Sequence, residues 1–219
     1  MTIKGVIWDM DGVLIDTGDF HFQAWSQTLD AYKIPFSYEK FHQTFGMNNW
    51  SILTLLLGSQ FDQEAYTRIS AQKEACFRQV IRGRARLLPG VLETLDFLRS
   101  RGVHQAIASC APPENIDTLV DELHIRGYFE AIVSGIDIPG KPAPDVFLAA
   151  ARGINLAPHD CLVVEDAITG VTGAGRAGMT CLAITNTHPA ENLRQAHQVV
   201  GSLLEVGATA WQSLLDCPS

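Results

Sequence analysis

Short apolar runs alternate with amphipathic stretches along the 219-residue chain, and their order predicts its architecture. Residues 3–8 form an apolar run that reads as a buried strand. Residues 19–32 then repeat apolar side chains at helical spacing (Phe22, Trp25, Leu29), with Asp19 available as an N-cap. Helices are predicted over 38–45, 50–57 and 62–81, the first two separated by the break Gly46-Met47-Asn48-Asn49. No strand-like alternation returns until after Pro89. From there helices alternate with short β-rich runs. A helix to Ser100 precedes a strand at 103–109, and a helix at 113–124 precedes a strand at 131–134. A helix at 144–152 leads to a strand at 161–165, and a helix ending near Gly178 leads to a strand at 180–184.

Alternating strands and helices with apolar strands predict an α/β fold, a Rossmann-like doubly wound parallel sheet covered on both faces. The helical block between the first strand and Pro89 then reads as an insertion. The expected organisation is a catalytic core of residues 1–15 and 90–219 with a small all-helical cap domain at 16–89.

In such sheets ligands bind outside the carboxyl ends of the strands, and that rule selects few residues. The first strand ends at Asp9 and Asp11, whose spacing of two turns both carboxylates the same way if the extended geometry persists. Two like charges so close need a proton or a cation between them, although Asp and Gly also suit an ordinary turn. Gly12 permits a backbone conformation that other residues resist. The strand at 103–109 ends at Ser109, that at 161–165 leads to Glu165-Asp166, and Lys141 follows the strand at 131–134 in Gly140-Lys141-Pro142. Carboxylates, a hydroxyl and an ammonium thus converge on one crevice. The carboxylates suit a hard cation such as Mg2+. A carboxylate can attack phosphorus, Lys141 and Ser109 can stabilise the equatorial oxygens, and Asp11 can move the leaving-group proton.

Trp8-Asp9-Met10-Asp11-Gly12-Val13-Leu14-Ile15-Asp16-Thr17, Ser109, Gly140-Lys141-Pro142 and Glu165-Asp166 resemble, in order, the four motifs of the haloacid dehalogenase superfamily. The likeness is closest to its β-phosphoglucomutase-like, CbbY-like phosphatase branch with a helical C1 cap. The resemblance implies that Asp9 is the nucleophile and Asp11 the acid/base. It also implies that Mg2+ is held by the Asp9 side chain, the Asp11 backbone oxygen and Asp166, with Glu165 as a further ligand or a support behind the ligands. Ser109 and Lys141 match its phosphate-contacting residues. Carbon–halogen cleavage needs no leaving-group acid, and the superfamily's dehalogenases lack the second Asp, so Asp11 argues against dehalogenation.

Within this branch the resemblance separates two chemistries. His21, in His21-Phe22-Gln23-Ala24-Trp25, matches a mutase histidine that contacts the acid/base Asp. The mutases also carry a basic residue before the glycine matched by Gly46 and an arginine three residues after it, which grips a distal phosphate. Phe45 and Asn49 stand there instead. Ser109-Cys110-Ala111-Pro112-Pro113 lacks the mutase's polar and lysine residues after the serine. Lys73 matches a cap lysine that faces the substrate, whereas Arg78, Arg82, Arg84 and Arg86 read as a solvated helix face. Substrate contacts are therefore expected at Gly12, His21, Gly46, Asn49, Lys73, Ser109, Cys110 and Lys141. The function expected is Mg2+-dependent hydrolysis of a small phosphorylated metabolite, a sugar phosphate first, through a phospho-aspartate. A sugar-phosphate mutase is the alternative, and a non-catalytic phosphate-ligand binder the third reading.

Composition refines this picture. The chain is 47% hydrophobic and 18% charged, with a net charge of −8 that opposes nucleic acid and anionic membrane as partners. Cys76, Cys110, Cys161, Cys181 and Cys217 show no metal or redox spacing, as free thiols of a reducing compartment would. The first apolar run is too short to span a bilayer and no secretion signal opens the chain, so a cytoplasmic location is expected. A monomer is the family's usual state. Gly173-Ala174-Gly175-Arg176-Ala177-Gly178 mimics a dinucleotide fingerprint, but Glu165-Asp166 occupies the turn where that motif belongs, so the glycines are predicted to lie in the helix. The segment Asn186-Thr187-His188-Pro189 receives no catalytic role, and Cys110 has no neighbouring base to activate it.

Overall fold

The computed structural model describes residues 2–58 and 62–216; Cys217 lies outside them. Its centre is a six-stranded parallel sheet of β1 (Gly5–Trp8), β2 (His104–Ser109), β3 (Ala131–Ser134), β4 (Cys161–Glu165), β5 (Thr180–Ile184) and β6 (Gln198–Val200). The spatial order is β3-β2-β1-β4-β5-β6, so the winding reverses between β1 and β4. That reversal is where a doubly wound sheet opens a crevice. Trp8 pairs with Ile107 on one side and Val164 on the other, which delivers Asp9 between the ends of β2 and β4.

The strands read as near-continuous apolar runs because both faces are covered. Val6, Trp8, Ile107, Leu162 and Val164 pack on one face with α5 (Val91–Ser100) and α6 (Pro113–Glu122). Ile7, Ala106, Ala108, Val163 and Cys181 pack on the other with α7 (Asp145–Gly153) and α8 (Ile168–Arg176). Of the glycine run, Gly173 and Gly175 lie in α8 as expected. Gly173 sits where an added Cβ would lie 3.1 Å from the Phe147 ring, and Gly178, past the helix, has φ +70°.

Between β1 and α5 the chain forms α1 (Gly18–Ala31), α2 (Tyr38–Thr44), α3 (Asn49–Leu57) and α4 (Gln63–Ile81). Trp25, Leu29, Ile52, Leu53 and Ile69 give this segment an apolar cluster of its own, while Ala24, Phe77 and Ile81 join the cluster beneath the sheet. Ser37, Asn48 and Asp62 cap α2, α3 and α4, their side chains accepting from the amides of Lys40 (3.2 Å), Ser51 (2.9 Å) and Ala65 (2.8 Å). Helix α1 departs from expectation: Thr17 is its N-cap, without a side-chain cap bond, and Asp19 lies inside the first turn. There its charge favours the helix N-terminus without capping it.

Two elements exceed the sequence reading. Strand β6 is three residues long, too short to show alternation, and α9 (Ala208–Leu215) follows it. Trp211 of α9 is buried, its ring centroid 6.3 Å from that of Trp8. Among the described residues no helix is long and apolar enough to cross a membrane.

Candidate active site

The carboxylates of Asp9, Glu165 and Asp166 meet at the β1–β4 reversal, each offering an oxygen within 4.8 Å of the others, and all three residues are buried. Lys141 reaches this group from the loop after β3. Its ammonium donates to Asp9 Oδ1 and, at 2.6 Å, to Glu165 Oε1. The other Glu165 oxygen accepts the amides of Asp166 and Ala167, both at 2.9 Å. Glu165 can lie so close to α8 because position 170 is glycine; a Cβ there would overlap its carboxylate. Asp166 is steadied by the Thr187 hydroxyl, which donates to its Oδ2. Gly12, at φ +83°, leaves the space Asp166 occupies, and the Asn186 amide donates to Gly12 O at 2.7 Å.

Three buried carboxylates face one ammonium, and the imbalance shows in their acidity. Burial, with Glu165 and Asp11 nearby, pushes Asp9 up to about 7 despite Lys141. Burial and the charges of Glu165 and Asp9 raise Asp166 well above the usual carboxylate range. A divalent cation with oxygen ligands would restore the balance, so this donor set fits Mg2+.

Asp11 points elsewhere. Its Oδ1 lies 3.3 Å from His21 Nε2, and His21 Nδ1 lies 3.0 Å from Lys73 Nζ. An ammonium can only donate, so Nδ1 accepts and the proton of His21 sits on Nε2, directed at Asp11. The His21 ring stacks on Phe77 with centroids 4.1 Å apart. Lys73 also donates to Glu74 Oε1 at 2.9 Å, where Asn49 donates at 2.7 Å. Asn115 of α6 donates to the second Glu74 oxygen at 2.5 Å and accepts from Arg78 at 2.7 Å. Burial opposes ionisation of Asp11, but the His21 hydrogen bond and the Lys73 charge outweigh it and hold the carboxyl below its ordinary value.

A cavity of about 210 Å³ joins these groups, with Asp9, Asp11, Lys141 and Glu165 on the sheet side and residues of α1 to α4 opposite. The helical segment sits directly on it. A Cβ on Gly140 would lie 2.8 Å from Asn48 Nδ2, and one on Gly46 (φ +84°) would lie 3.4 Å from Ala167 Cβ.

A family model for haloacid dehalogenase-like hydrolases matches residues 3–178. The chain belongs to the haloacid dehalogenase-like hydrolase family. It is 28% identical over 182 residues to a phosphorylated carbohydrates phosphatase of Thermotoga maritima, covering 81% of this chain and 82% of that one. It is 30% identical over 195 residues to the β-phosphoglucomutase of Bacillus subtilis, covering 85% of each. Among solved structures, a β-phosphoglucomutase from Clostridium difficile superposes with a TM-score of 0.88 at 26% identity, covering 96% of both chains.

Within this hydrolase, Asp9, Asp11, His21, Gly46, Asn49, Lys73, Cys110, Lys141, Glu165 and Asp166 all line the cavity. Several do so differently from expectation. Gly12 does not line it, and its part is to make room for Asp166. Ser109 is buried beneath the cavity wall, its hydroxyl oxygen accepting the Ala111 amide at 3.1 Å, because the chain turns back over it after β2. Asp11 keeps its side chain on His21 and outside the acidic cluster, so any share it takes in a cation is left to its main chain. Lys73 and Asn49 are bonded to Glu74. Burial pushes the Cys110 thiol up, away from a nucleophilic thiolate. Glu74, Asn115, Gly170 and Thr187 escaped the sequence reading. A capped helix face and a glycine inside a helix carry no local signal of a distant carboxylate, whereas Thr187, in the segment given no catalytic role, follows directly after β5 at the rim where ligands gather.

Proposed function

We propose that the chain is a Mg2+-dependent phosphatase that hydrolyses a small phosphorylated metabolite through a phospho-Asp9 intermediate. Residues 16–89 serve as its cap domain over the core of 1–15 and 90–219. The observation that carries this reading is the separation of the two aspartates at the end of β1: Asp9 sits with Glu165, Asp166 and Lys141, Asp11 with His21.

Asp9 attacks phosphorus, the ester P–O bond breaks, and the leaving oxygen takes its proton from Asp11. Water then attacks the phospho-aspartate, Asp11 accepts a proton from it, and inorganic phosphate departs. Asp9, Asp166 and Glu165 would hold Mg2+, which when bound supplies positive charge to the phosphoryl oxygens and to the crowded carboxylates. Lys141 holds one Asp9 oxygen in place and adds a fixed charge beside the phosphate. The geometry without substrate favours Asp11 as a base. An arriving phosphate dianion raises its pKa and supplies the acid half of its role.

Hydrolysis is favoured over mutase chemistry because the cations lining the cavity, Lys73 and Lys141, are both engaged by protein groups. A mutase must clamp a second phosphate while its bisphosphate intermediate turns over. The names of the relatives make phosphorylated carbohydrates the first class to assay. Asp9→Asn should abolish phosphate release across a panel of phosphate esters. Near-full turnover by that variant, in protein that melts like the wild type, rejects the mechanism.

A further inference from the structure

The wall opposite Asp9 and Lys141 is largely apolar. Phe41, Phe45, Met47, Trp50 and Tyr66 line it from the helical segment, and Ile136 and Ile138 line it from the loop after β3. Met47, Trp50 and Ile136 are 43%, 44% and 42% exposed, although they are large hydrophobic side chains. Exposed apolar groups gathered around one cavity mark a surface that a ligand covers.

The polar groups on this wall are few and already committed. The Asn48 side chain accepts the Ser51 amide, Asn49 donates to Glu74, and the Thr44 hydroxyl donates into its own helix. Lys73 is divided between His21 and Glu74, and Lys141 between Asp9 and Glu165. Among the described residues the Tyr66 hydroxyl makes no hydrogen bond and the Asn49 side-chain oxygen accepts none. Those two groups can serve a hydroxyl or two. They cannot neutralise an anion.

Resting on the phosphatase reading, we propose that the substrate is a monophosphate ester whose leaving alcohol is uncharged and presents an apolar or aromatic face. Phe45, Met47 and Trp50 set that preference, and the wall selects against any second phosphate.

The test compares phosphate release, as kcat/KM with Mg2+, for benzyl phosphate, glucose 6-phosphate and glucose 1,6-bisphosphate. Benzyl phosphate should exceed the bisphosphate by at least about tenfold, the low end of what an apolar contact contributes to discrimination. It should also exceed the monophosphorylated sugar, mainly through KM. Met47→Lys, at a partly exposed position, should raise relative use of the bisphosphate, and Phe45→Lys should do so more strongly if it folds. Equal or better use of the bisphosphate by the wild type overturns this substrate class, as does a Met47→Lys profile identical to wild type. In either case hydrolysis lost in Asp9→Asn leaves the phosphatase reading standing. Failure of the wild type to release phosphate from all three esters overturns both.

Discussion

Glu74 is the most informative residue to remove. It and Lys73 are adjacent on α4 and both buried, 7% and 3% exposed. The carboxylate receives Lys73 at 2.9 Å, Asn49 at 2.7 Å and Asn115 at 2.5 Å, so it ties the helical segment to α6 while anchoring the ammonium behind His21. In Glu74→Ala, Lys73 keeps, among the described residues, only His21 Nδ1 as a hydrogen-bond acceptor, with the rings of Trp25 and Phe77 5.4 and 5.5 Å away. Breaking a buried pair from one side costs about 3–5 kcal/mol, a large share of a total stability of roughly 5–15 kcal/mol. For a chain of this size each kcal/mol lowers Tm by roughly 2–4 °C, so the melting point should fall by about 6–20 °C.

Glu74→Gln keeps the shape and one acceptor and should lose less. Lys73→Met with Glu74→Gln should be less damaging than the sum of the single changes, with a coupling of about 0.5–3 kcal/mol. Burial works against the Glu74 charge, but the Lys73 charge and the Asn49 hydrogen bond overcome it and lower the pKa from 4.5. A depressed folded-state pKa stabilises the fold at pH above 4.5, and that contribution disappears as pH falls through the folded value. The gap between wild type and Glu74→Gln should therefore be constant from about pH 6 to 8 and close below 4.5. Because Glu74 anchors the ammonium that keeps the His21 proton on the side of Asp11, kcat should drop by about tenfold or more in folded variants. Thermal unfolding across pH is the assay. A Glu74→Ala protein melting within about 2 °C of wild type, or a gap that widens in acid, would refute the reasoning.

Two further predictions follow from the acidic cluster. Gly12→Ala and Gly83→Ala both force a side chain into the left-handed region (φ +83° and +72°), at about 1–2 kcal/mol each. Only the Gly12 Cβ collides with Asp166, Gly83 having nothing within 4 Å, so Gly12→Ala should also lose activity, and equal losses in the two would contradict the packing. Chelation should remove phosphate release and Mg2+ restore it. Calorimetric Mg2+ binding should weaken at least tenfold in Asp166→Asn, and full turnover after exhaustive chelation would count against the cation.

Much of the fold was legible because its strands are buried on both faces. The runs ending at Ser134, Glu165 and Ile184 were recognisable without their partners because each is a short apolar stretch set between helical segments. Strand β6 was not, because three residues cannot display a period and their place is decided by pairing with β5. The N-terminus of α1 was misplaced for a similar reason. Asp19 has the chemistry of a cap, but the isolated bridges that Ile15 makes with Asp11 and Leu87 hold the chain just before the helix, which begins one residue earlier, at Gly18.

The site divides along the same line. Asp9, Asp11, Lys141, Glu165 and Asp166 are legible because topology alone sends strand ends to one rim, whatever the side chains between them do. Which carboxylate joins which partner is not a topological property. Asp11 stands two residues from Asp9, yet one faces an ammonium from the loop after β3 and the other a histidine from α1. In the proposed mechanism, that divergence lets one aspartate lose its proton to become a nucleophile while its neighbour exchanges one with the leaving group. It depends on Lys73 and Glu74, more than fifty residues away in sequence, and no spacing rule reaches so far. On the proposed mechanism the core motifs direct attack on phosphorus, and the buried ion pair on α4 places the second proton. The residues to vary for catalysis and for selectivity are therefore different sets: Glu74 and Lys73 for the first, Phe45, Met47 and Trp50 for the second.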